Sequence, residues 1–184
     1  MRKLIYYVHS SIDGYIEGPN GEFDWPLMGP ELSAYSLAMD ETVDTFLYGR
    51  VVWEMMSGYW PRVESISDDP HDLAFAPVWR ATPKVVFSRT LTSADWNATV
   101  VGGDLAEAVD ALKKRDGKDL LLSGGSSLAG ALASLGLIDD YRVVVHPVVL
   151  GGGKRLLPVD GRVGLSLAES RVLDGRTVLA RYTA

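Results

Sequence analysis

The sequence predicts an α/β domain: a mostly parallel central sheet, helices on both faces, and an antiparallel hairpin at its C-terminal edge. Two observations carry this expectation. Through most of the chain, short apolar strand-like runs alternate with segments of helical periodicity, the pattern of parallel sheets. Near the end, residues 165–173 and 177–182 flank Asp174-Gly175, a pair suited to the positive φ angles of a tight hairpin turn. No repeat, low-complexity tract or linker interrupts the chain, and its 184 residues suit one domain, residues 1–184.

Taken in order, residues 3–8 read as a buried strand, and 11–30 as a loop rich in Gly and Pro. Leu32, Tyr35, Met39 and Val43 recur at helical spacing. Residues 45–48 form a strand that ends at Gly49-Arg50, and 51–56 are one or two helical turns. Residues 57–70 read as a loop, 71–79 as a helix and 84–88 as a strand preceded by Pro83. After a strand at 99–101, Asp104 and Glu107 make a capping-box-like helix start. Leu105, Ala108, Val109 and Leu112 form its apolar stripe, Lys113, Lys114 and Arg115 its basic last turn, and Gly117 its C-cap. A strand at 120–123 meets Gly124-Gly125. A helix with Leu128, Ala131, Leu132 and Leu135 follows, closed by Gly136. Residues 141–149 are a strand broken at Pro147.

Composition narrows the function. A formal charge of -6 argues against a nucleic-acid partner, since phosphate backbones need clustered Lys and Arg. It leaves room for an anionic cofactor held by a few placed groups. With no cysteine, the chain has no thiolate nucleophile and no Cys-ligated metal. His9, His71 and His146 lack metal-ligand spacing, so no metal is expected and all three read as structural. The N-terminus lacks the apolar core of a signal peptide, and no apolar run is long enough to span a bilayer. A cytoplasmic protein without a membrane partner is the expectation.

Ligands of such sheets bind outside the carboxyl ends of the strands. Three of those ends here are suited to phosphate. Gly124-Gly125-Ser126-Ser127 opens a helix, where bare N–H groups, hydroxyls and the dipole favour an anion, although a tight turn with a Ser cap has the same sequence. Arg50, after Gly49, places a cation at a helix start, where the dipole opposes it unless an anion is bound or the side chain is simply solvated. Ser88-Arg89-Thr90 suits a phosphate monoester or a polar strand exit. A dinucleotide with an extra ribose phosphate would use all three.

The ordered set resembles a known family. Residues 46–54 (FLYGRVVWE) look like the strand–Gly-Arg–helix signature of dihydrofolate reductases, with Val52 where a Thr is usual. Ser11–Ile16, Lys84–Leu91, Ser123–Leu128, Gly136–Tyr141 and Pro147–Gly153 resemble, in order, the reductase domain of the bifunctional riboflavin-biosynthesis deaminase-reductase and its stand-alone relatives. The resemblance covers nearly the whole chain. It implies the three-layer dihydrofolate-reductase-like fold, NADPH as cofactor, and a homodimer. It implies that Gly49, Arg50, Val51 and Val52 lie near the cofactor phosphates, that Ser88, Arg89 and Thr90 recognise the 2′-phosphate, and that Gly124, Gly125, Ser126, Ser127 and Leu128 meet the pyrophosphate. Ile16 would lie near the nicotinamide. The deaminase half, which needs paired Cys, is absent.

Hydride transfer asks little of side chains beyond position and exclusion of water. The substrate can still need a proton, for which Asp13 at the first strand exit and Glu31 at the first helix start are the candidates; each also fits a turn or a helix-dipole role. Tyr15, Trp25, Tyr35, Trp53 and Trp60 could stack on a flat substrate ring or simply pack. A serine hydrolase is disfavoured because Gly-x-Ser-x-Gly is not met at Ser126 or Ser127. The expectation is an NADPH-dependent reductase of a small pterin- or pyrimidine-like heterocycle or a related carbonyl or imine. A non-catalytic NADPH-binding or sensing module is the alternative.

Overall fold

A computed structural model describes residues 1–184. In chain order the elements are β1 (Leu4–Ser10), β2 (Tyr15–Glu17), α1 (Pro30–Asp40), β3 (Val43–Gly49), α2 (Arg50–Tyr59), a 3-10 helix (Trp60–Ser65), α3 (Pro70–Ala81), β4 (Lys84–Phe87) and β5 (Ala98–Val101). There follow α4 (Leu105–Lys114), β6 (Asp119–Ser123), α5 (Ser126–Ser134), β7 (Asp140–Val145), β8 (Lys154–Arg155), β9 (Ser166–Leu173) and β10 (Thr177–Thr183).

Eight strands form one sheet in the order β5-β4-β3-β6-β1-β7-β10-β9. The first six run parallel, and β10 pairs antiparallel with both β7 and β9. Side chains alternate across a strand, so the continuous apolar run of β1 serves two cores. Leu4, Tyr6 and Val8 join α4 and α5 on one face, while Ile5 and Tyr7 join α1, α2 and α3 on the other. This is the three-layer, dihydrofolate-reductase-like arrangement that the sequence predicts. No helix is long and apolar enough to cross a membrane.

The chain moves outward from β1 through β3, β4 and β5, then returns to insert β6 between β3 and β1. With crossovers of one hand, that reversal sends the helix after β3 to one face and the helix after β6 to the other. A crevice therefore opens between the carboxyl ends of β3 and β6.

Several boundaries differ from the sequence expectation. Val43 starts β3 and does not extend α1, which stops at Asp40 in a turn where the Thr42 N–H donates to Met39. It still joins Met39 in the same core, so strand and helix periods coincide there. The expected loop 57–70 contains the end of α2 and the 3-10 helix, and loop 11–30 contains β2, paired with β8. β7 stops at Val145, two residues before Pro147. The hairpin turn has positive φ at Asp174 (54°) and Gly175 (61°), with the Arg176 N–H on the Leu173 carbonyl at 3.1 Å.

Helix capping divides the molecule. Asp69 caps α3, and Asp104 caps α4 through the Glu107 N–H at 2.9 Å. Helix α1 begins after Gly29 and is capped from outside: the Asp174 carboxylate accepts from the N–H groups of Glu31 (2.8 Å) and Leu32 (3.1 Å). Helices α2 and α5 begin after Gly49 and Gly125 with no side-chain cap. These are the two that open onto the crevice.

Candidate active site

Gly124 and Gly125 take φ of 64° and 76°, the left-handed region that glycine enters without strain. The turn brings α5 against α2. A Cβ on Gly125 would stand 3.2 Å from Val52 Cγ2, and one on Gly49 would stand 3.7 Å from Leu128 Cβ. Two uncapped helix starts therefore share one space, both presenting bare N–H groups and the positive ends of their dipoles. The Ser126 hydroxyl is already used, donating to the Arg155 carbonyl at 2.5 Å, whereas Ser127 is exposed. Arg50 lies beside this space, paired with Glu54 at 2.9 Å.

From these termini a cleft of about 690 Å³ runs down between α1, α2 and α3. Its floor includes Tyr7, Phe46, Tyr48 and Leu121, all from the sheet face that those helices cover. Asp40 also lines it. This carboxyl, in the last turn of α1, is 7% exposed, and its Oδ2 has no hydrogen-bond partner. Burial pushes its pKa up from 3.8 to about 7, because nothing nearby offsets the lost hydration of the charged form. The Tyr7 hydroxyl, beside Ser36, is likewise buried and unpartnered, and its pKa is raised by burial. His9 lines the cleft with its Nδ1 2.8 Å from Nε2 of His146. Burial lowers the pKa of His9 to about 3 and that of His146 to about 4, so both rings are neutral at physiological pH. His71, hydrogen-bonded to the Ser33 hydroxyl at 2.9 Å, lines the cleft from α3.

Of the residues singled out in the sequence, Ile16, Gly49 to Val52 and Gly124 to Leu128 line this cleft together, as does Trp60. Ser88, Arg89 and Thr90 stand at the end of β4, one strand over from Gly49, at the same edge of the sheet. Ser88 Oγ accepts from the Thr90 and Leu91 N–H groups, while Arg89 is exposed and in no ion pair.

The two expected carboxyls lie elsewhere. The Asp13 carboxylate accepts from the N–H groups of Leu150 (3.1 Å) and Gly151 (2.7 Å), clasping the loop after β7. Glu31 accepts from the Asp174 N–H, completing the reciprocal clasp at the start of α1. Both are exposed and outside the cleft, because each turn needed its carboxylate for backbone N–H groups. The other aromatics also lie outside its walls. Trp53 is buried against Trp79 at 5.9 Å, and Tyr35 accepts from Arg142 at 3.3 Å. Tyr15 sits on β2, and Trp25 meets His146 edge-on at 5.5 Å, one layer behind His9.

The sequence reading missed Asp40, Tyr7, His9 and His71. Asp40 alone carried a signal. It falls on the buried stripe Leu32, Ser36, Met39, and an acid in a last turn opposes the helix dipole.

The fold agrees with comparisons to known proteins. Over 182 residues, covering 98% of this chain and 94% of the other, the chain is 36% identical to the uncharacterized protein YyaP of Bacillus subtilis. Among solved structures it superposes with a TM-score of 0.77 on a Shewanella sp. PV-4 protein assigned to riboflavin biosynthesis, at 22% identity, covering 100% and 98% of the two chains. It superposes with a TM-score of 0.63 on the Enterococcus faecalis dihydrofolate reductase complexed with NADP(H), at 15% identity, covering 98% and 95%. The family model of the RibD C-terminal domain matches residues 2–179, so this chain, with its reductase-like fold, belongs to the RibD C-terminal domain family.

Proposed function

We propose that this protein is an oxidoreductase that binds NADPH and reduces a small heterocycle or a related carbonyl or imine. The observation that carries this reading is the contrast in helix capping. Three helices are capped by Asp carboxylates, and the two that start at the crevice between β3 and β6 are left bare after glycine. Bare helix starts facing each other across a crevice between parallel strands are suited to a pyrophosphate.

The N–H groups after Gly49 and Gly125, with the Ser127 hydroxyl, would hold the phosphates. Arg89, unpaired at the neighbouring strand end with Ser88 and Thr90, would read the 2′-phosphate. Ile16 and His9 line the same cleft as the glycine exits and Asp40, and would shield a nicotinamide there from water. Val52 offers no hydroxyl where the dihydrofolate reductase signature it resembles usually has Thr, so it can pack against the ligand but cannot bond to it. When bound, NADPH supplies the hydride and its electron pair. Asp40 stays protonated to about neutrality and has a free Oδ2, so it is the group that can hand a proton to a substrate nitrogen or oxygen. Asp13 and Glu31 keep their clasping roles. The reading includes a homodimer, whose second copy would cover Leu167 and Val172, 62% and 67% exposed on β9.

The test is a titration with NADPH and with NADH, followed by Trp fluorescence and repeated with Arg89→Ala. Tight NADPH binding, weak NADH binding and loss of that preference in the variant support the reading. Failure of both nucleotides to bind overturns it. Binding without turnover across a panel of heterocycles and carbonyls would leave a binding module instead of an enzyme.

A further inference from the structure

The two histidines at the end of β1 and β7 form a pair whose protons the fold assigns. His9 lies beyond Tyr7 on β1, and His146 lies beyond Val144, just past the end of β7. Alternation along these parallel neighbours turns all four side chains to the face covered by α1, α2 and α3. The backbone holds the second ring in place: the His146 N–H donates to the Ser10 carbonyl and its own carbonyl accepts from Val148, each at 2.8 Å. The rings meet through His9 Nδ1 and His146 Nε2 at 2.8 Å. Their outer nitrogens differ. His146 is 1% exposed beneath Trp25, and its Nδ1 is sealed off with no partner. His9, edge-on to Tyr7 at 5.3 Å, lines the cleft, and its Nε2 has no protein partner yet is not sealed.

Burial lowers the pKa of both rings, so each is neutral and carries one proton. One proton lies between the rings, which leaves two arrangements. If His9 donates it, the proton of His146 sits on Nδ1, a buried N–H without an acceptor. The positive charge of Arg176, which acts on His146, also weighs against a proton there. If His146 donates it, the sealed Nδ1 keeps a bare lone pair and the His9 proton sits on Nε2, where water or an occupant of the cleft can accept it. The second arrangement pairs every N–H of the two rings and the first strands one, so the second is favoured.

We propose that His9 is a fixed hydrogen-bond donor of the cleft, recognising a carbonyl oxygen on its occupant through Nε2–H, and that His146 is the positioning residue that holds it in that tautomer. An occupant presenting an N–H at the same point would set donor against donor and be rejected. The carbonyl has two possible sources, the carboxamide of a nicotinamide or a carbonyl of the molecule to be reduced. This deepens the reductase reading and rests on it for the identity of the occupant, whereas the tautomer is a property of the protein alone.

The first test is long-range 1H–15N NMR of the full chain at pH 7 with labelled histidine rings. The expected spectrum has His9 protonated on Nε2 and bare on Nδ1, and His146 likewise. In His146→Leu, His9 is expected to show both tautomers. A proton on His9 Nδ1 in the wild type overturns the proposal, and an unchanged His9 in His146→Leu overturns the positioning role. The second test is calorimetry with two pairs of probes, each differing by sulfur in place of the carbonyl oxygen: NADPH against its thionicotinamide analogue, and N-methyl-2-pyridone against N-methyl-2-thiopyridone. Wild type is expected to favour the oxygen member of one pair by about fivefold, the worth of one hydrogen bond, and His9→Phe to lose that preference. The pair that responds identifies the source of the carbonyl. No preference in either pair, a preference that persists in His9→Phe, or no binding of any probe would each overturn the proposal. A protein that binds the pyridone through His9 but no nucleotide keeps the donor and loses the reductase.

Discussion

Replacing Asp40 by Asn should make the protein more stable, by an amount set by pH. Asp40 is buried with one oxygen unpartnered, and its pKa rises from 3.8 in an open chain to about 7 in the folded protein. The sign follows from proton linkage. Between those two values the folded state holds a proton that the unfolded state has released, so stability falls as pH rises. Below about pH 4 both states are protonated and the carboxyl costs nothing extra. Above about pH 7 both are ionised and the cost is complete. At about 1.4 kcal/mol per pH unit, the interval corresponds to at most about 4 kcal/mol. Asn keeps the shape and polarity without the charge. Urea unfolding of wild type and Asp40→Asn at pH 4.5, 6, 7 and 8 should therefore show a stability difference that grows with pH and levels off above 7. The variant should melt up to about 10 °C higher at pH 8. Taking the difference between the two proteins cancels the other titrating groups. A difference that does not change with pH, or a variant less stable at pH 8, would refute the claim that the carboxyl is buried without compensation. A site that keeps such a group against its own stability is the kind used for chemistry or binding.

Other outcomes follow from the same geometry. His9 and His146 titrate in the opposite sense to Asp40. Their lowered pKa values mean that the unfolded chain takes up protons first, so their contribution, present above pH 6.5, is lost as pH falls through about 4 and 3; NMR should show both rings neutral at pH 6. Gly125→Ala forces a φ of 76° on a residue with a Cβ and pushes on Val52 at 3.2 Å, so NADPH binding should weaken at least tenfold, with partial recovery in the double variant with Val52→Ala. Asp174→Ala removes the cap of α1 and should cost about 1–2 kcal/mol in urea unfolding without changing nucleotide binding. Gly29→Ala should act like it, because the new Cβ would lie 2.2 Å from the Asp174 carboxyl carbon.

Much of the architecture was legible because it is local. The alternation of apolar strands and amphipathic helices, the capping acid Asp104, the closing Gly136 and the Asp174-Gly175 turn each encode a backbone preference within a few residues. They appear in the structure with boundary shifts of one to a few positions. The glycine exits were legible for the same reason, since an uncapped helix start after glycine is visible in a line of sequence.

The fate of each carboxyl was not legible, because it depends on partners far along the chain. Asp13 serves N–H groups at Leu150 and Gly151, and Glu31 is joined to Asp174, separations of 137 to 143 residues that no periodicity reports. The sequence by itself determined an α/β fold with phosphate-friendly turns at its strand ends. Only the tertiary structure decided which acids are used up by backbone and which one, Asp40, is left buried and unpaired. Whether a polar group is satisfied depends on what surrounds it in three dimensions, whereas a turn or a helix start depends on its immediate neighbours.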